Sequence, residues 1–126
     1  MADLTGTWLG TYWQSEIPTR FEATLLQSSN TLTGNILDDS ESGEATLIGE
    51  VIGRRIQFTK RYLTISSAPI HYSGTVNEEE DFIQGDWNIQ NNESGKWEAR
   101  RGGDNLMMEL QKLQQQQIPA LAGGRR

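Results

Sequence analysis

Between residues 4 and 101 apolar and polar side chains alternate with a period of two, the mark of strands that bury one face. Eight strands are predicted, at 4–13, 20–27, 31–38, 44–52, 55–62, 70–77, 82–90 and 95–101. The gaps between them carry turn chemistry: Ile17-Pro18, Ser28-Ser29-Asn30, residues 38–43, Gly53-Arg54, and residues 66–69, 77–80 and 91–94. These gaps are too short for crossover helices, so consecutive strands should pair antiparallel as a meander. Parity turns inward Leu4, Trp8 and Tyr12, then Phe21, Ala23, Leu25, Leu32, Ile36, Leu47 and Val51. In the second half it turns inward Ile56, Phe58, Lys60, Tyr62, Ile70, Tyr72, Val76, Ile83, Trp87, Ile89, Trp97 and Ala99.

A motif of apolar–x–Gly–x–apolar recurs at 4–8, 32–36, 47–51, 72–76 and 83–87, and its second half returns at 95–97. Glycine between two large inward residues leaves them room and lets a strand bend and coil. Closure into a barrel also removes exposed sheet edges, which favours it over a sandwich. The fold class predicted is therefore all-β, an eight-stranded antiparallel up-and-down β-barrel with a short C-terminal α-helix packed outside. That helix is read from Gly102-Gly103, the N-cap candidate Asp104, and Leu106, Leu110 and Leu113 at helical spacing with Met107 beside them. The division is a barrel domain over 1–101 and a helix and tail over 102–126. The helix has three readings: it covers Leu9 and Trp13 on its own barrel, it binds a partner, or it frays.

At 126 residues and 14.2 kDa the chain holds one domain. Eleven Lys and Arg against 17 Asp and Glu leave a net charge of −6, which argues against non-specific nucleic-acid binding. With no Cys and a single His (His71, turned outward), thiolate chemistry, Cys-rich zinc sites and a catalytic triad have no material here. No cofactor and no metal are expected. The acidic run at 38–44 lacks the glutamate a calcium loop needs at its twelfth position, and 78–81 reads as a charged hairpin turn. No membrane-spanning run and no secretory leader are visible, so the expected location is the cytoplasm.

The chemistry-bearing residues gather at one end. In a meander the first strand runs from a closed end to an open one. That places Tyr12, Phe21, Asp38, Lys60, Tyr62, Tyr72, Ile89 and Trp97 toward the mouth. An inward Lys60 between Phe58 and Tyr62 must be solvated, paired or ligand-bound. Either it anchors a ligand carboxylate, with Tyr62 and Tyr72 as hydrogen-bond donors, or it snorkels to the rim or pairs internally with Asp38. Outward apolar residues, among them Leu26, Leu37, Ile48 and Ile52, mark a patch for self-association or a protein partner.

Gly6-Thr7-Trp8 on the first strand and Trp97-Glu98-Ala99-Arg100-Arg101 on the last resemble the calycin superfamily of lipocalins, fatty-acid-binding proteins and avidins. The segments 4–8 and 32–34 are avidin-like in detail, whereas Leu9-Gly10-Thr11 replace the polar residues with which avidins hold biotin. The resemblance implies a Trp near the closed end crossed by an Arg from the last strand: Trp8 with Arg101, or Arg100 in the alternative register. It also implies non-enzymatic binding of a small apolar or amphipathic, carboxylate-bearing molecule within the barrel. The site for it is assigned to Tyr12, Phe21, Phe58, Lys60, Tyr62, Tyr72, Trp87 and Trp97. The alternative is an assembly subunit with a self-filled barrel that meets a protein partner, or its own copy, through Leu37, Ile48 and Ile52. A third reading, a calycin-type isomerase or lyase, leaves Lys60, Tyr62 and Tyr72 as its only acid–base candidates.

Overall fold

The computed structural model describes residues 2–90 and 93–102. Eight strands follow one another: β1 (Gly6–Gln14), β2 (Ile17–Ser28), β3 (Thr31–Asp38), β4 (Glu44–Ile52), β5 (Arg55–Tyr62), β6 (Ile70–Val76), β7 (Phe82–Ile89) and β8 (Glu93–Arg101). Each pairs antiparallel with the next, and β8 returns to β1 with Trp8 opposite Arg101 and Tyr12 opposite Trp97. The sheet is a closed barrel. Among the described residues there is no helix, and hence none long and apolar enough to cross a membrane. The expected C-terminal helix over Leu106, Leu110 and Leu113 lies outside the described residues.

Period-two patterning produces this result because every inward position faces one shared core, so a one-residue slip would turn a whole strand inside out. The core holds Trp8, Phe21, Leu25, Leu32, Val51, Phe58, Tyr72, Val76, Ile83, Trp87 and Trp97, with Tyr12, Tyr62 and Ile89 packed on it half-buried. Three strands start away from the sequence expectation, and β1, β2, β6 and β7 each end one residue from it. β1 starts at Gly6, not residue 4: Gly6 has φ +135°, and residues 2–5 leave the sheet to cross the closed end, where Ala2 and Leu4 are buried. Only glycine adopts that φ without strain. β2 starts at Ile17, because the turn is Ser15-Glu16 (φ 49° and 68°), a two-residue hairpin with both central residues left-handed. Pro18 is tolerated within β2 since β3 reaches only to Phe21, leaving a neighbour on one side alone. β8 starts at Glu93, so Glu93-Ser94 are ladder residues paired with Ile89 and Asn88 rather than turn.

Aromatic rings fill the interior. Phe58 and Tyr72 stack 4.7 Å apart at 9°, and Trp97 meets both edge-on at 5.7 and 5.4 Å. The Trp97 and Trp87 rings occupy space left by glycine. A Cβ on Gly74 would lie 2.9 Å from Trp97 Cζ2, and one on Gly95 2.6 Å from Trp87 Nε1. Each inward indole N–H donates to a backbone carbonyl: Trp8 to Leu4, Trp87 to Trp13 and Trp97 to Ser73. Satisfying these donors removes the penalty of burying them. The cavity that remains between Trp8, Phe21, Ile36, Phe58 and Trp97 measures about 20 Å³, room for about one water.

Candidate functional site

At the closed end Arg101 holds three chain segments together. Its guanidinium lies 4.6 Å from the centre of the Trp8 ring, while Nη1 donates to Thr5 O, Nη2 to Asp3 O and Nε to Glu80 O. Arg100 points the other way and covers Phe82 at 4.6 Å. Gln27 completes the closure, accepting from Leu4 N and donating to Ala2 O and Ser29 O. The carbonyls of Ala2, Asp3, Thr5, Ser29 and Glu80 are thus met by charged or amide donors, and that of Leu4 by the Trp8 indole.

At the open end parity brings Tyr12, Lys60, Tyr62 and Tyr72 around Asp38. Lys60 Nζ donates to Asp38 Oδ1 at 2.9 Å and to Oδ2 at 2.8 Å. The Tyr12 hydroxyl donates to Oδ2 at 3.1 Å, and the Tyr62 hydroxyl donates to the same oxygen. The ammonium also lies 4.9, 4.7 and 5.8 Å from the ring centres of Tyr12, Tyr62 and Tyr72. Both side chains of the ion pair are fully enclosed, so Lys60 does not snorkel to the rim. Lys60 is level with Leu47 in the ladder and Asp38 lies higher on β3. The buried residue that β4 contributes at this end, Ala45, is small enough to leave room between them. Of the alternatives the sequence leaves open for Lys60, the structure holds the internal pair with Asp38; the parity of Asp38 with Ile36 is the signal that it points in, as the parity of Ala45 with Leu47 is for Ala45 opposite Tyr62.

This geometry fixes the electrostatics. Burial pushes the Lys60 ammonium below the usual lysine range, and the Asp38 carboxylate draws it back only in part. Burial likewise pushes the Tyr12, Tyr62 and Tyr72 hydroxyls above their ordinary value, with the Asp38 charge acting in the same direction. These are the only three tyrosines in the chain, so a phenolate titration reads this cluster alone. A tyrosine held protonated in the fold contributes stability that is complete below its unfolded value of 10.0 and lost as pH rises beyond it. The lowered Lys60 acts oppositely, easing a penalty as pH climbs toward 10.5, but it is one group against three. Native protein should therefore keep its phenols beyond pH 10 and release them together on alkaline unfolding. Three independent phenolate transitions near that value in folded protein would contradict the arrangement.

The remaining residues assigned to the interior, Phe21, Phe58, Trp87 and Trp97, belong to the packed core, with Phe21, Trp97 and Trp87 paired across the ladder with Asp38, Tyr12 and Tyr72. On the outside, Leu26, Leu37, Ile48 and Ile52 stand exposed on β2, β3 and β4 at 60%, 52%, 59% and 60%. His71 is outward, its Nδ1 3.3 Å from Thr59 Oγ1.

No protein-family model matches the sequence, and no curated protein matches it either. Among solved structures, the chain is similar to one described as the de novo design of a fluorescence-activating β-barrel, with a TM-score of 0.56 and 16% identity. The similarity covers 77% of this chain and 92% of the designed one. At that identity what the two share is the fold.

Proposed function

We propose that the protein is a non-enzymatic interaction module, a rigid barrel filled by its own side chains that engages a protein partner through the outer face of β2–β4. One contrast carries the reading: about 20 Å³ of free space inside, against four large aliphatic side chains standing in solvent outside. Preformed small-molecule sites measure roughly 300–1,000 Å³, so a ligand would have to displace the Phe58–Tyr72–Trp97 stack. Nor is Lys60 free to hold a ligand carboxylate, because two of its three N–H bonds already serve Asp38. A second anion there would meet the first. Among the described residues nothing covers the outer aliphatic side chains, and exposed apolar groups grouped on one face mark contact surfaces. The test compares proteins retained from cell extract by the native chain and by Ile48→Lys, whose exposed position leaves the core untouched. A partner kept by the first and lost by the second supports the reading; identical retention overturns it.

The half-buried hydroxyls of Tyr12 and Tyr62 favour one second reading, a small molecule held at the barrel mouth, in keeping with the calycin-like sequence and the likeness to a designed fluorescence-activating barrel. Titrating fatty acids, retinoids and tetrapyrroles against Trp fluorescence decides it, since Trp87 lies against Tyr12 at 6.3 Å. A saturable change with any of them supports a mouth site, and a flat response across the panel removes it.

A further inference from the structure

The outer ladder row Leu26–Thr33–Ile48–Thr59, running across β2 to β5, carries no charge, and it continues through His71, Asn88 and Ser94. This is an unusual stripe on a chain with 22% charged residues. Its flanks are charged in a definite pattern. On β4, Glu44 and Ile52 lie two outward positions to either side of Ile48, with Thr46 and Glu50 between. On β5, Arg61 pairs with Thr46 and Arg55 with Ile52. None of Glu44, Glu50, Arg55 and Arg61 takes part in an ion pair among the described residues.

We propose that the partner of this face is a second copy of the chain, related by a two-fold axis that touches the barrel at Ile48 and points across the strands, tangent to the row there; the inference rests on the interaction-module reading above. An isologous contact must be self-complementary, each residue meeting its symmetry mate or a mutual partner. Rotation about that axis sets Ile48 on its own copy. It exchanges the two flanks, so Glu50 faces the second copy's Thr46, whose ladder neighbour is Arg61. Glu44 in turn faces Ile52, whose ladder neighbour is Arg55. Every acid on β4 is thereby offset sideways by one strand spacing, roughly 5 Å, from a base on the other copy, within reach of two long side chains across faces about 10 Å apart. A two-fold along the strand direction would instead set Glu44 on Glu44 and Glu50 on Glu50. The charges of β4 and β5 select the first arrangement. They also cancel, so on an acidic molecule, net charge −6, this flank adds no net repulsion between two copies.

Light scattering and sedimentation over a wide concentration range test the proposal. The mass is expected to rise from 14.2 kDa toward twice that value, and Ile48→Lys to hold it at 14.2 kDa with an unchanged circular dichroism spectrum and melting curve. Glu50→Arg should weaken self-association about tenfold or more, and Glu50→Arg with Arg61→Glu should restore it, since the swap rebuilds both cross-copy pairs. A mass fixed at 14.2 kDa up to the highest soluble concentration overturns the proposal, as does a dimer indifferent to both substitutions. A monomer that still retains an extract partner lost by Ile48→Lys overturns self-association alone and leaves the module reading standing. Loss of both results ends the two together.

Discussion

Asp38→Asn is expected to destabilise the barrel by about 3–5 kcal/mol, the cost of leaving a buried ammonium without its counter-charge. Asn keeps the shape but not the charge, so Lys60 remains enclosed by three aromatic rings with a neutral amide where a carboxylate stood. Small domains have about 5–15 kcal/mol in all, so urea unfolding should show a midpoint displaced by a large fraction. The companion variant Asp38→Leu with Lys60→Met removes both charges and should lie within about 1–2 kcal/mol of the native chain, or above it. That contrast is the informative part. A buried pair contributes little net stability compared with apolar packing, yet half of it is intolerable. If Asp38→Asn unfolds no earlier than the native protein, water or another counter-charge reaches Lys60, and the enclosed pair described above is wrong.

Trp8→Ala is expected to cost about 3–5 kcal/mol, the range for deleting a fully buried aromatic side chain. It removes more than volume. Leu4 O loses its indole donor, and the Arg101 guanidinium loses the ring it covers. Trp8→Phe retains a ring and should cost about 1 kcal/mol for the missing hydrogen bond, before any loss of packing. A double-mutant cycle pairing Trp8→Ala with Arg101→Ala measures the coupling across the cation–π contact, expected at about 0.5–2 kcal/mol. Hydrogen exchange gives an independent reading: amides of Leu4 and Thr5 should lose protection in Arg101→Ala while mid-barrel amides on β3 and β4 keep theirs. Uniform loss across the barrel would mean that Arg101 supports the whole fold and not the closed end alone.

Much of this architecture was legible in the order of residues, and the reason is geometric. Strand parity is binary, so once Trp8 faces in, Tyr12 must too; the same rule carries Phe58 to Lys60 and Tyr62. Legibility failed where the chain leaves the pleat. Leu4 keeps the parity of Trp8 and reads as strand, although the left-handed φ of Gly6 turns residues 2–5 across the barrel floor. Ile17-Pro18 reads as a turn because proline ends strands, but the true turn uses Ser15 and Glu16, which have no strong preference for positive φ. Ala45 lies in a strand the sequence predicts, but alanine by itself does not mark an inward position, and it is buried. The Lys60–Asp38 contact was one of several alternatives: parity says both point inward, but not that two positions on non-adjacent strands lie within one lysine's reach. That depends on stagger, which the eight pairings reveal only together.

The seam between β1 and β8 has a consequence for how the molecule is made. Thr5 and Arg101 are hydrogen-bonded although 96 positions apart, so the clasp at the barrel floor is among the longest-range contacts of the described residues. Topologies dominated by such distant pairings fold slowly. On a ribosome β8 is the last strand to emerge, and until then the first seven form an open ribbon with two unpaired margins, each a template for a neighbouring chain. The interval before the final strand arrives, rather than the finished cylinder, is when this sequence is most exposed to misassembly.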